Sequence, residues 1–297
     1  MKCNGNTLIE LALEMLKIGD YNTLRVVRKV DFGVFLEGGN GVDILLPNRY
    51  VPDDLRIGDD IEVFVYTDSE DRVIATTESP YASVGQVVFL EVTAVNRIGA
   101  FLDWGLPKDL LVPFREQKTR MLEGRRYPVY VYLDDATKRV VASAKIEKYI
   151  GNLIPEYNPG EQVDAIVYKH TPMGYFCAVD NLHQGLLYEN EVYEPLAVGD
   201  SLKVFVTKVR RDGKIDLRIG GNGRKRESEV CERILERMRS SGGEISIGDS
   251  SSPQEIRDAF GCSKRDFKKA VGHLLKKAKI ANDTSKRLLL IEKKHKV

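Results

Sequence analysis

The sequence predicts a mainly β chain: three small closed barrels in tandem, followed by a C-terminal α/β domain of three helices and a β-hairpin. Three observations predict it. A pattern of glycines and apolar strands recurs three times at constant spacing. Each copy spans about 60 residues and holds five short strand-like runs. Beyond residue 223 the apolar period changes from two to that of a helix. The length of 297 residues, with 42% hydrophobic and 30% charged residues, suits a folded chain of more than one domain.

The repeat starts at Gly19, Gly85 and Gly160, and fourteen residues later come Gly33, Gly99 and Gly174. Ten further on begin Asp43-Ile44-Leu45-Leu46-Pro47, Asp109-Leu110-Leu111-Val112-Pro113 and Gln184-Gly185-Leu186-Leu187-Tyr188. Eleven past the end of each lies Gly58, Gly124 or Gly199. The period-two triplets Ile61/Val63/Val65, Tyr127/Val129/Val131 and Leu202/Val204/Val206 follow, each one face of a strand. The copies cover 19–78, 85–146 and 160–219. In the first, strands fall near 23–31, 33–37, 42–46, 61–66 and 72–77, with a short helical turn within 48–57. Five strands with one longer link suit a Greek-key barrel, whose closure removes exposed edges.

Residues 224–297 read differently. Glu227 to Ser240 places Val230, Ile234 and Met238 on one helix face. Ser252-Pro253-Gln254-Glu255 is a capping box with proline in the first turn, opening a helix that runs through Phe260 and ends at Gly261. Ser263-Lys264-Arg265-Asp266 opens a third helix, with Phe267, Ala270, Val271, Leu274 and Ala278 inward. Ile280-Ala281, Asn282-Asp283-Thr284-Ser285 and Leu288 to Ile291 read as a hairpin. Three helices and a two-stranded wing make a winged helix. Gly220-Gly221-Asn222-Gly223 before it reads as a flexible linker, since it lacks the Lys-Ser/Thr of a phosphate loop.

Around each inner glycine stand Phe32 and Phe35, Ile98 and Phe101, or Met173 and Phe176. Phe32 and Phe35 are three apart, so in a regular strand they face opposite sides; a bulge at Gly33 would bring both to one face. Two aromatics on an open barrel face form a stacking platform for unpaired bases. The run Val30-Asp31-Phe32-Gly33-Val34-Phe35, the Asp-Ile-Leu-Leu segment, Gly58-Asp59 and the last strand with Ile74-Ala75 resemble the S1-type RNA-binding OB-fold repeat. The resemblance implies a ligand face of two aromatics, a further ring after the third strand, and an Asp and a basic residue at the last turn. It carries over to Phe32, Phe35, Asp68 and Arg72, with Pro47 in place of the ring. In the second copy it reaches Phe101, Asp135 and Arg139; Ile98 and Pro113 depart, and Trp104 is expected to compensate. In the third it reaches Phe176, Tyr188 and Lys214, while Met173 and Arg210 depart. Ser251-Ser252-Pro253-Gln254-Glu255-Ile256, Phe260-Gly261-Cys262-Ser263-Lys264, Phe267-Lys268-Lys269-Ala270 and Gly272-His273-Leu274 are similar to the winged helix of the bacterial conserved virulence factor B family. That family's tandem S1-type repeats and winged helix imply RNA binding and a regulatory role in gene expression.

Charge selects where nucleic acid is expected. Net charge is +1, yet 224–297 holds 19 basic and 11 acidic residues. The first repeat carries 6 and 13, the second 10 and 7, the third 7 and 9. Residues 208–226 nevertheless hold Lys208, Arg210, Arg211, Lys214, Arg218, Arg224, Lys225 and Arg226 against Asp212 and Asp216. The third tail helix adds Lys264, Arg265, Lys268, Lys269, Lys276 and Lys277. Phosphate neutralisation supplies most sequence-independent affinity, so the junction of third repeat and winged helix is favoured over the first repeat.

Other classes are disfavoured. Cys3, Cys177, Cys231 and Cys262 form no CxxC pair, so neither a zinc ribbon nor a disulfide framework is expected. His170, His183, His273 and His295 show no metal-ligand spacing. Asp53-Asp54, Asp59-Asp60 and Asp134-Asp135 read as turns. No enzyme activity, metal or cofactor is expected. Glu10 and Glu14 interrupt the apolar stretch Leu8 to Leu16, so neither a signal peptide nor a spanning helix is read and a cytoplasmic protein is expected. Residues 1–14 are expected to be dispensable, with Met15 a second start. The expected partner is single-stranded RNA. The alternatives are a winged-helix DNA-binding transcription factor, or a scaffold on the ribosome or RNA-processing proteins. Phe64, Tyr130, Tyr132 and Phe205 are expected to face outward, for protein contact or repeat–repeat packing.

Overall fold

The computed structural model describes residues 16–39, 41–192, 196–220, 223–282 and 288–291, with backbone only at 224–226 and 282. Residues 1–15, residues 283–287 of the expected hairpin, and Gly221 and Asn222 of the expected linker lie outside the described residues, as do Cys3, Met15 and His295. The chain divides into two compact units, Met1–Ile150 and Gly151–Val297.

The first barrel comprises β1 (Asp20–Val30), β2 (Gly33–Glu37), β3 (Asp43–Pro47), β4 (Asp60–Thr67) and β5 (Val73–Thr76), closed in the order β1-β2-β3-β5-β4. A 3-10 turn, Asn48–Tyr50, fills the link where a helical turn was expected. The second comprises β6 (Val87–Val95), β7 (Gly99–Leu102), β8 (Leu110–Pro113), β9 (Arg126–Leu133) and β10 (Val140–Ser143), in the sheet order β10-β9-β6-β7-β8. The third, β11 (Gln162–Thr171), β12 (Gly174–Val179), β13 (His183–Tyr188), β14 (Ser201–Val209) and β15 (Ile215–Arg218), is closed like the first. Strands β13 and β15 pair in parallel, as do β3 and β5. That parallel ladder is the seam that closes the first and third sheets into barrels. Alternate residues point inward: Val63 and Val65, Val129 and Val131, Val204 and Val206 are all fully buried.

The inner glycines are explained by close backbone approach. A Cβ on Gly33, Gly99 or Gly174 would stand 2.3, 2.3 or 2.1 Å from the carbonyl oxygen of Leu46, Val112 or Leu187. Backbone cannot yield as a side chain can, so only glycine fits where β2, β7 and β12 begin. Gly33 itself pairs regularly with Val30 and Pro47. The bulge expected there lies upstream instead, between Val26 and Arg28, and recurs between Val92 and Ala94 and between Val167 and Lys169.

The two barrels of the first unit share one core cluster, and the first keeps another of its own around Leu36, Ile44 and Leu46. Phe64 and Tyr66 of the first cluster with Leu90, Leu102 and Trp104 of the second. Phe64, expected to face outward, is thus buried by repeat–repeat packing, between Tyr21 at 5.4 Å and Trp104 at 5.8 Å. Tyr130 and Tyr132 face out of the second barrel but are covered by Tyr149, at 4.7 and 4.8 Å.

The C-terminal domain has α1 (Gly223–Ser240), α2 (Pro253–Phe260), α3 (Lys264–Lys276) and a sheet of β16 (Glu244–Ile245), β17 (Ile280–Asn282) and β18 (Leu288–Leu290), ordered β16-β18-β17. The two-residue β16 makes the wing three-stranded, and a run that short leaves no periodicity to read. Val230, Ile234 and Met238 are buried, and Phe260 stacks on Phe267 at 5.1 Å. The capping box is complete. The Ser252 hydroxyl accepts from the Glu255 amide at 3.2 Å, and the Glu255 carboxylate accepts from the Ser252 amide at 2.6 Å. Ser252→Ala is expected to destabilise this domain by about 1 kcal/mol, read as a fall of a few degrees in its calorimetric transition. A loss no greater than that of Ser228→Ala, exposed on α1, would contradict the cap's role.

Candidate nucleic-acid interface

Each barrel presents the same two-position platform. The residue before the inner glycine, Phe32, Ile98 or Met173, is exposed by 60, 51 and 58%. Its carbonyl is held from across the sheet by the amide of Asn48 (3.0 Å), Phe114 (3.4 Å) or Glu189 (3.1 Å). The second ring, Phe35, Phe101 or Phe176, is half-buried. Phe32 and Phe35 meet edge to face at 6.3 Å. They share a face because Phe32 sits in the β1–β2 turn, not because of a bulge at Gly33. Ile98 and Met173, departures from the aromatic pattern, therefore occupy the same exposed place as Phe32.

The upstream bulge adds a group that the sequence reading missed. It sets Arg28, Ala94 and Lys169 opposite the three inner rings. The Arg28 guanidinium lies 3.7 Å from the Phe35 centroid, and Lys169 Nζ lies 5.5 Å from that of Phe176. Cations over rings extend a stacking platform. The signal was a shift of one residue in the cation's register, invisible without the bulge.

Below the platforms of the first two barrels open two clefts in corresponding places. One, of about 470 Å³, is lined by Phe35, Leu45, Pro47, Tyr66, Asp68 and Arg72, among others. Its counterpart, of about 380 Å³, is lined by Ile98, Leu111, Pro113, Tyr132, Asp134 and Arg139. Tyr66 and Tyr132 form part of each floor; burial pushes the Tyr66 phenol up to about 12. Asp134, rather than the expected Asp135, closes the second hairpin as Asp68 closes the first: their amides donate to Arg139 and Arg72 carbonyls at 2.9 Å each. The second loop is one residue longer.

The basic residues differ in how freely they can meet an anion. Arg72 is occupied by Asp68 (2.7 Å) and Glu70 (2.8 Å). Burial would raise the Asp68 carboxyl, but hydrogen bonds from Arg72 and from the Arg72 and Glu70 amides outweigh it and hold the carboxyl low. Arg139 pairs with Asp71 of the first barrel. Trp104, expected to compensate for Ile98, is 2% exposed. It packs edge-on to Phe64 and Tyr66 and donates through Nε1 to the Lys108 carbonyl at 2.6 Å. It belongs to the joint of the first two barrels and is closed to a base.

In the third barrel Arg210 leans on Asp212 (3.5 Å) and Asp216 (3.8 Å), and Lys214 on Asp212 (3.9 Å). The half-buried Tyr188 hydroxyl donates to Asp216 at 3.2 Å. Arg218 donates to the Gly220 carbonyl at 2.8 Å and lies over Phe205, itself half-buried. Lys208 and Arg211 are exposed and have no ion-pair partner among the described residues. On α3, Lys264 donates to the Ser251 carbonyl at 2.7 Å and Lys268 stands 3.9 Å from Asp249. Arg265 and Lys269 are exposed and unpaired among the described residues. The side chains of Arg224, Lys225 and Arg226 lie outside the described residues.

Cys177, Cys231 and Cys262 are buried and in no disulfide, with the Cys177 thiol pushed up to about 12 by burial. His170 stacks on Tyr175 at 4.2 Å, and His273 meets Glu227 at 2.7 Å. His183 packs against Tyr157 at 5.4 Å. No helix among the described residues is long and apolar enough to cross a membrane.

Comparison with known proteins finds the same types of domain. The S1 domain family matches residues 18–78, 84–145 and 159–207, and the CvfB-like winged helix domain family matches 232–288. The chain is 29% identical over 278 residues to "Uncharacterized protein YitL" of Bacillus subtilis strain 168, covering 90% of this chain and 92% of that one. It is 26% identical over 285 residues to "Conserved virulence factor B" of Staphylococcus epidermidis, covering 93% and 96%. Among solved structures, a Streptococcus pneumoniae TIGR4 multidomain protein with nucleic acid binding domains shares 25% identity, with 93% and 99% covered and a TM-score of 0.40. Three S1 barrels, each with its platform, and a winged helix in the same order make this chain a nucleic-acid-binding member of the conserved virulence factor B family.

Proposed function

We propose that the protein binds single-stranded RNA and regulates gene expression after transcription, at the level of the message or its translation, in the cytoplasm and without catalysing a reaction. The observation that carries this is the threefold platform: an exposed apolar residue beside a half-buried phenylalanine in every barrel. Such a face accepts unstacked bases of any sequence and has nothing to stack on in an intact duplex. The free cations Lys208, Arg211, Arg265 and Lys269 supply the phosphate contacts. The winged helix adds affinity rather than base choice, because the exposed cations of α3 are mostly lysines, point charges poorly suited to bidentate base reading.

The DNA-binding alternative needs base readers at the start of α3. Lys264 is tied to Ser251 there and Arg265 alone is exposed. Competition tests the reading. Unlabelled single-stranded RNA is expected to displace a labelled RNA 20-mer, and a duplex DNA of equal length to compete poorly. Affinity should fall with salt, with a log–log slope of roughly 0.7 per phosphate engaged. Stronger competition by the duplex would favour the transcription-factor reading. Binding indifferent to salt would refute the electrostatic surface, and no binding of either would leave a scaffold on the ribosome or RNA-processing proteins.

A further inference from the structure

We infer that the groove between α1 and the end of α2 binds a ribonucleoside 5′-phosphate, the chemistry shared by an RNA 5′ end and a free mononucleotide. For the RNA end the inference rests on the RNA-binding reading and adds to it a site off the barrels and off α3. The groove, of about 660 Å³, is lined by Arg233, Glu236, Arg237 and Ser240 of α1 and by Arg257 and Asp258 of α2, among others. The lining includes no residue of α3. Its arginines lie outside the basic runs 208–226 and 264–277. Val230, Ile234 and Met238 turn one face of α1 to the core. Arg233, Glu236, Arg237 and Ser240, three and four residues apart, share another. Helix α2 stops at Gly261, whose φ of 54° is left-handed and whose amide donates to the Arg257 carbonyl at 2.8 Å. The Phe260 and Gly261 carbonyls accept from Arg233 Nη1 at 2.9 and 3.4 Å. Arg233 is therefore a fixed wall, and it answers the negative end of α2 that would otherwise repel an anion. Arg237 is exposed and Arg257 half-buried, and neither guanidinium has a partner among the described residues.

The chemistry of the groove favours the end of a nucleotide chain over its middle. Two guanidinium forks match the three oxygens of a dianionic phosphate monoester, whereas a row of lysines suits the single charges of backbone diesters. The same groove carries Glu236 and Asp258, neither of them in an ion pair among the described residues. Gln254 Nε2 donates to Asp258 Oδ1 at 2.8 Å and fixes that carboxylate. Backbone phosphates running past two such carboxylates would be repelled, but ribose hydroxyls donate to them. Cations and carboxylates side by side thus fit one phosphate and one sugar. Phe260, the ring in the lining, is 2% exposed and stacked on Phe267, so no base is read by stacking. The volume lies within the range of small-ligand sites and leaves room for one nucleotide.

The experiment uses the full chain. Anisotropy compares a 3′-labelled RNA 20-mer bearing a 5′-phosphate with the same oligomer bearing a 5′-hydroxyl. Calorimetry titrates adenosine, uridine and 2′-deoxyadenosine 5′-monophosphates. The 5′-phosphate is expected to tighten RNA binding about tenfold, the worth of one added charge-assisted hydrogen bond. The adenosine and uridine nucleotides should bind alike, and the 2′-deoxy nucleotide about tenfold more weakly, for the hydroxyl it lacks. The variant Arg237→Gln/Arg257→Gln should erase the 5′-phosphate preference and the nucleotide heat. It should leave the affinity for the 5′-hydroxyl oligomer within about threefold and the melting temperature within a few degrees, because Arg233 still holds α2. If the double variant proves unstable, Arg237→Gln alone, at an exposed position, should remove most of the preference. Nucleotide heat without a preference between the two RNA ends would uphold the site and make a free nucleotide its ligand. A preference without nucleotide heat would uphold it with the RNA end as ligand. Neither signal would overturn the inference and leave RNA binding standing. Equal losses for both oligomers in the variant would also overturn it, by making the groove part of the backbone path. Equal binding of the deoxy nucleotide would overturn the ribose assignment. Heat from an oligoglutamate peptide, lost in the variant, with none from any nucleotide, would make the groove a docking site for an acidic protein segment and overturn it too. Failure of the protein to bind either oligomer would sink the RNA-binding reading itself, while the nucleotide titration would still decide the groove.

Discussion

Trp104→Ala is expected to lower the melting transition of the first two barrels by roughly 10–15 °C, the largest stability loss of any single change considered. Removing a buried tryptophan side chain costs about 3–5 kcal/mol, through lost burial and the cavity left behind. A unit of this size shifts by roughly 3 °C per kcal/mol. The indole is buried and wedged edge-on against Phe64 and Tyr66 at 5.8 and 6.3 Å. Alanine would also orphan the Lys108 carbonyl that the indole N–H now satisfies at 2.6 Å. Because Phe64 and Tyr66 belong to one barrel and Trp104 to the other, the loss falls on their shared core. Calorimetry of the full chain should show one transition for residues up to Ile150 moving downward while that of the second unit stays in place. Trp104→Phe keeps most of the ring and loses the N–H, so it should cost less than half as much. A fall under about 1 kcal/mol, or two separate transitions for the first two barrels in the native protein, would show that they fold independently and that Trp104 is a surface cover.

That tryptophan marks the limit of what the sequence discloses. The three barrels were legible because closure makes a demand that every copy must meet: a glycine where two backbones approach within contact distance, as at Gly33, Gly99 and Gly174. The α2 capping box was legible because its two hydrogen bonds are local, between Ser252 and Glu255. What connects one repeat to the next is neither repeated nor local. Trp104 and Lys108 reach partners some forty residues away, Phe64 and the Thr67 carbonyl, and nothing in their spacing announces it. Arg28 was hidden for another reason. A bulge moves the register by one residue, and a period-two reading then sends the cation to the wrong face. The charge pattern showed where cations are dense but not which are spent. Arg72 and Arg210 look equivalent to Arg211 in the sequence, yet each of the first two lies against two carboxylates.

The distinction between spent and free cations sets the largest expected effect on binding. Replacing Lys208, Arg210, Arg211 and Lys214 together by alanine should weaken RNA binding by well over tenfold at physiological salt, while Arg72→Ala changes it by less than threefold. The double variant Lys208→Ala/Arg211→Ala should account for most of the fourfold variant's loss. Those two side chains are exposed and unpaired among the described residues, so a phosphate gains their full charge. Arg210 and Lys214 must first leave Asp212 or Asp216, at 3.5–3.9 Å, and that exchange of one anion for another yields little net free energy. Each phosphate contact removed should reduce the log–log salt slope by about 0.7. The double variant is thus expected to flatten it by roughly 1.4, and Arg72→Ala to leave it unchanged. The measurement is a fluorescence anisotropy titration of one labelled RNA against the three variants at four salt concentrations. Equal losses for Arg72→Ala and the double variant would place the phosphate path on the first repeat. An unchanged slope in the fourfold variant would remove the third repeat's last hairpin from the interface altogether.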